Sequence, residues 1–120
     1  MTALAEPTVK VRAHKQSAAE RQAVYDDVTA RDKRCRAWAI VGPLGERGDI
    51  DIGNCGDRLG RRPYSTERHH AGNTIGSKRI TDARHVVLLC EWHHAHWAPT
   101  HSRLILEWLA RIEDAREAQR

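Results

Sequence analysis

The sequence of 120 residues predicts a small α+β domain with a helix at each end of a short-stranded centre. Three observations predict it. Ser17-Ala18-Ala19-Glu20 is a capping box, in which the serine oxygen takes a free amide at a helix start and the glutamate reaches back. Leu104, Ile105, Trp108, Leu109 and Ile112 recur at the spacing of one helical face near the other end. Between them, His85-Val86-Val87-Leu88-Leu89 is the most hydrophobic run in the chain, five residues bounded by a turn and by Cys90.

The first helix should run from Ser17 to about Arg31, burying Ala23, Val24 and Val28. Residues 1–16 show no periodicity and read as a flexible arm. Cys35 to Val41 (CRAWAIV) reads as a turn into a short strand. Six of the eight glycines lie between Gly42 and Gly60, which predicts an irregular loop pinned by Cys55. Tyr64 to His70 reads as a strand, residues 71–81 as a loop, and Asp82-Ala83-Arg84 as a turn. A short helix over 91–97 should end at Pro99, which disfavours helical geometry at Ala98. The last helix covers about 103–117, with Glu107 and Arg111 as an i,i+4 pair. No internal repeat or second domain is visible, so residues 17–120 read as one domain.

Composition limits the choices. The core must be thin: there is no phenylalanine, and four tryptophans and two tyrosines supply the aromatic bulk. Small domains of this kind need a disulfide, a metal or a partner as a staple. Three cysteines cannot all pair with one another. No apolar run follows Met1 and no stretch approaches membrane-spanning length, so a reducing cytoplasm and no membrane partner are expected. The net charge of +4 permits an anionic partner without demanding one.

Seven of the eight histidines fall between His69 and His101, including the adjacent pairs His69-His70 and His93-His94. Imidazole both titrates near neutral pH and ligates metals. Cys90 and His93 have the spacing that lets two ligands from one turn reach one zinc ion. Cys35 and Cys55 are the cysteines left to complete a Cys3His set. Such a site contributes on the order of 10 kcal/mol to folding, enough to compensate for a thin core.

With these residues in hand, the chain resembles the HNH endonucleases, members of the ββα-metal (His-Me finger) nucleases. The resemblance spans about 31–101 and rests on RDKRC (31–35), Cys55, the pair at 69–70, ARHVVLLC (83–90) and CxxHH (90–94). Small HNH proteins of this layout are frequent in bacteriophages and actinobacteria. The resemblance implies a ββα-metal core with a structural zinc and metal-dependent hydrolysis of DNA phosphodiesters, leaving 5′-phosphate and 3′-hydroxyl ends. It makes His69 and His94 ligands of a catalytic Mg²⁺ or an ion such as Mn²⁺ or Ni²⁺, and His70 the general base. Cys90 and His93 match the structural zinc pair. A neutral imidazole with an unperturbed pKa of about 6.5 can take a proton from water at physiological pH. Adjacent strand residues face opposite sides, so one imidazole can hold the ion while its neighbour meets the water.

The chain departs from the family pattern at three positions. His85 stands where the family carries an asparagine that holds the base's loop; a ring N–H could do the same. The further metal ligand expected four residues after the last histidine falls on Ala98, leaving His101 as the favoured substitute, or water completing the shell. Trp38 occupies the position where many relatives have a second cysteine after Cys35. Arg58, Arg61, Arg62, Arg68, Lys78, Arg79 and Arg84 flank the histidine pair and would contact DNA phosphates in this reading. The alternatives are a non-catalytic, zinc-stabilised nucleic-acid-binding or DNA-packaging accessory module, and a metal-binding interaction protein with no DNA role. In either nucleic-acid reading, phage packaging or other DNA-processing proteins are the expected protein partners.

Overall fold

The computed structural model describes residues 16–72 and 81–120. The expected arm lies outside the described residues except for Gln16, whose amide exchanges two hydrogen bonds with the Thr81 backbone, at 2.6 and 2.7 Å. Most of the expected 71–81 loop, with Lys78 and Arg79, also lies outside them.

Helix α1 (Ala18–Asp32) begins at the capping box: Ser17 Oγ accepts from the Glu20 amide, and Glu20 accepts from the Ser17 amide. Val28 is buried and Val24 half-buried, while Ala23 is exposed. The expected strand after Cys35 is instead helix α2 (Ala37–Val41). Ala37, Ile40 and Val41 are buried at helical spacing, and Trp38 between them is 44% exposed. Gly42, at φ +50°, ends it. Pro43 then opens a single turn, α3 (Pro43–Glu46), inside the glycine-rich segment.

Strands β1 (Thr66–His70) and β2 (Val86–Cys90) pair antiparallel, with Thr66 opposite Cys90 and His70 opposite Val86. Helix α4 (Glu91–His96) follows directly, then a 3₁₀ turn (Ala98–Thr100) containing Pro99, then α5 (Ser102–Ala118). On α5, Glu107 pairs with Arg103 at 3.4 Å, toward the N-terminus, rather than with Arg111 as expected.

The two faces of β2 go to different partners, so all five of its residues are buried. Val86 and Leu88 pack with Val28, Val24 and Tyr25 of α1. Val87 and Leu89 belong to the main core with Ile105, Trp108 and Leu109 of α5 and Ala37, Ile40 and Val41 of α2. A strand covered on both faces reads as an unbroken apolar run. Each fully buried side chain of this size contributes about 1.5–3 kcal/mol.

The end of α1 is tied down by a buried polar knot. Arg31 spends all five of its N–H donors: two on Asp32 (2.7 and 2.9 Å), two on the carbonyls of Ala83 (2.8 Å) and Val86 (2.6 Å), and one on Glu113 of α5 (3.0 Å). Asp32 in turn accepts from the Leu88 amide at 3.0 Å. Fully paired, the knot avoids the penalty of a buried lone charge and fixes α1 and α5 against β2. No helix among the described residues is long and apolar enough to cross a membrane.

Candidate metal centre

Cys35 lies in the link between α1 and α2, Cys55 in the glycine-rich segment, Cys90 at the end of β2, and His93 on α4. Their ligand atoms all lie within 4.8 Å of one another. His93 Nδ1 is 3.6 Å from the sulfurs of Cys35 and Cys55 and 3.0 Å from that of Cys90. Sulfur and nitrogen corners of a zinc tetrahedron are about 3.6 Å apart, given bonds of about 2.3 and 2.0–2.1 Å. The four residues could therefore hold a metal such as zinc.

The surroundings prepare the ligand atoms. His93 Nε2 is 2.6 Å from the carbonyl of Ile52. A carbonyl only accepts, so Nε2 carries the proton and Nδ1 keeps its lone pair for a metal. The next residue, Gly53, has φ +66°, and a Cβ there would stand 2.6 Å from the Trp92 ring. Glycine alone permits both the turn and the close approach. Cys90 caps α4, its sulfur accepting from the His93 amide. Burial pushes the Cys35 thiol up to about 12, and the neighbouring sulfurs of Cys90 and Cys55 push the same way. Burial raises Cys55 as well. Thiols raised in this way become thiolates together only beside a cation.

A second group forms on the other side of α4. Across the sheet His69 faces Val87, on the α4 side, and its ring lies 5.1 Å edge-on from that of His94. His69 Nε2 is buried and has no hydrogen-bond partner among the described residues. Burial, then the charge of His94 and His70, lowers His69 to about 4, so its ring is neutral at pH 7. An orphaned, uncharged imidazole thus stands beside a second one, which brings together two of the residues expected to share an ion. His94 Nδ1 lies 2.7 Å from Glu67 Oε1.

His70 faces the opposite side, toward α1, where its Nε2 is 3.1 Å from the Tyr25 hydroxyl. It lines a cleft of about 420 Å³ with Tyr25, Thr29 and Arg68. His85 meets the neighbouring residue through its backbone: the Ala71 amide donates to the His85 carbonyl at 2.8 Å. Its ring Nδ1 is buried and makes no hydrogen bond among the described residues. His101 does not join His69 and His94 in a three-ligand group among the described residues. Its ring stacks on Trp97 at 4.9 Å, and its Nδ1 lies 2.8 Å from the Trp97 carbonyl. The Pro99 turn spends this histidine on the start of α5.

The arginines divide into two sets. Arg61 is held by Asp57 at 2.9 Å, and Arg84 by Asp114 and Glu117 at 2.7 and 3.2 Å. Arg58 lies 3.5 Å from Glu91, with its side chain 84% exposed. Arg62 is exposed, and Arg68 lies over the Tyr25 ring at 4.2 Å. Asp57 also accepts from the amides of Leu59, Arg61 and Ser65. The bonds from Ser65 first and then from Arg61 hold it well below the usual carboxylate range.

Sequence reasoning missed Glu67 and Tyr25. Glu67 carried a usable signal, since it lies two residues before His69 and so shares its strand face. Tyr25 carried none, because nothing in a helix pattern says which strand it meets. No protein-family model, curated protein or solved structure matches the chain.

Proposed function

We propose that the chain is a metal-dependent DNA endonuclease of the HNH kind. One observation carries the reading: His69 from the end of β1 and His94 from α4 lie ring to ring, with a buried nitrogen left over. The order of parts supports it. A strand ending in a histidine pair is followed by a strand ending in cysteine, then by a helix bearing ligands for two sites.

In this reading a divalent ion on His69 and His94 (Mg²⁺, Mn²⁺ or Ni²⁺) would offset charge on the scissile phosphate and the departing oxygen. His70 takes the proton of the attacking water. The Tyr25 hydroxyl fixes its ring from α1, and the Ala71–His85 bond fixes the chain behind it. Arg62 and Arg68, exposed near β1, bind phosphates, while Arg61 and Arg84 chiefly neutralise carboxylates of their own chain.

Nicking of supercoiled plasmid with each of the three ions tests the proposal. His70→Ala should keep its helicity and zinc but lose about 10²-fold or more in rate, the usual contribution of a positioned base. A variant that folds and cuts as fast as the parent sinks the assignment. A second reading, a zinc-stabilised module that binds DNA without turnover, draws on the engagement of His101 with Trp97. A parent that retains DNA but nicks it with none of the ions establishes that one.

A further inference from the structure

We infer that Glu67 belongs to the His69–His94 metal site as its positioning residue, setting which nitrogen of His94 meets the ion. The inference rests on the metal-site half of the reading above and not on DNA cleavage. Thr66 to His70 alternate across the sheet, and the register puts Glu67 opposite Leu89 and His69 opposite Val87, on one face. His94 reaches that face from α4. Its Nδ1 lies 2.7 Å from Glu67 Oε1, and its ring edge meets the His69 ring.

An ionised carboxylate only accepts hydrogen bonds. The proton of the neutral His94 ring therefore sits on Nδ1, and Nε2 holds the lone pair. A carboxylate behind a metal-bound imidazole fixes both tautomer and ring orientation and raises the ligand's basicity. The same logic acts at His93 with the two nitrogens exchanged, where the Ile52 carbonyl takes the Nε2 proton and frees Nδ1. Adjacent histidines thus present opposite nitrogens to two different sites, each selected by an acceptor at its back. Glu67 is partly exposed, with 44% of its side chain accessible, so packing alone does not require it. An acidic side chain on a strand face of a basic chain is explained by what it does to His94.

Two measurements on the full-length, zinc-loaded protein test this. Nitrogen-15 spectra of the imidazoles, taken without added ion, should show His94 protonated on Nδ1 and His93 on Nε2. In Glu67→Ala the His94 preference should disappear while that of His93 stays. Calorimetric titration with Mn²⁺ should give a second site that broadens the His69 and His94 resonances. Glu67→Ala should weaken it about 10–100-fold with zinc content and circular dichroism unchanged, and Glu67→Gln, which can still accept from Nδ1, should recover part of the loss. An Nε2-protonated His94 in the parent, no Mn²⁺ site at these rings, or a Glu67→Ala variant binding Mn²⁺ like the parent overturns the inference. A parent that binds Mn²⁺ as described but never cuts DNA leaves it standing and removes the endonuclease reading instead.

Discussion

At the scale of single residues, the decisive question is which ring nitrogens carry protons. His69 is pushed down to about 4 by burial first and by its imidazole neighbours second. The sign of the consequence is fixed. Between about pH 6.5 and about 4 the unfolded chain binds a proton at this position and the folded chain does not. Stability must therefore fall as pH drops through that window and level off below it. Replacing the ring with a side chain that does not titrate isolates the effect: zinc-loaded His69→Gln should lose less stability than the parent between about pH 6.5 and about 4 in urea unfolding. Equal losses in the two proteins would show that His69 titrates normally. How much of such detail was legible in the sequence varies by residue. Cys90 and His93 announced each other through their spacing, because two ligands on one helical turn are a local pattern. Arg31 gave no comparable sign of its five bonds, since three of them go to acceptors 52 or more residues away, on Ala83, Val86 and Glu113; only Asp32 is a neighbour.

At the scale of elements, legibility followed the strength of each segment's period. Helix α1 has a cap and α5 an apolar face, and both lie where the pattern puts them. The segment Ala37–Val41 has no polar residue to reveal a period, so a run of five apolar residues reads equally as strand or helix. Packing decides it: Ile40 and Val41 enter the core beside Ala37, one turn apart. The link between elements matters as much as the elements. Asp32 is 1% exposed and holds both the Arg31 guanidinium and the Leu88 amide. Asp32→Ala should therefore destabilise the protein by about 3–5 kcal/mol, the cost of stranding a buried charge. Denaturant unfolding measures it, and a loss below about 1 kcal/mol, the range of an ordinary hydrogen bond, would refute the structural role.

At the scale of the whole molecule, the Cys3His cluster gathers segments more than fifty residues apart in sequence. Among the described residues the paired sheet has two strands, a unit that is not stable alone in water. Zinc bound by the cluster should therefore decide whether the fold exists. Removing it with a chelator, or mutating Cys90→Ala, should collapse helicity by circular dichroism, and elemental analysis of the native chain should find about one zinc per chain, as expected of small domains with a structural site. Full helicity without zinc would place the stability in the apolar core alone. The histidines of α4 show how closely the Cys3His cluster and the His69–His94 pair are joined. His93 and His94 are consecutive on a helix of six residues, so their side chains diverge by about 100° around its axis. One is latched by the loop at Ile52, the other by the strand at Glu67. The helix behaves as a rocker pivoted between two grips: any roll that slackens one imidazole must swing its neighbour.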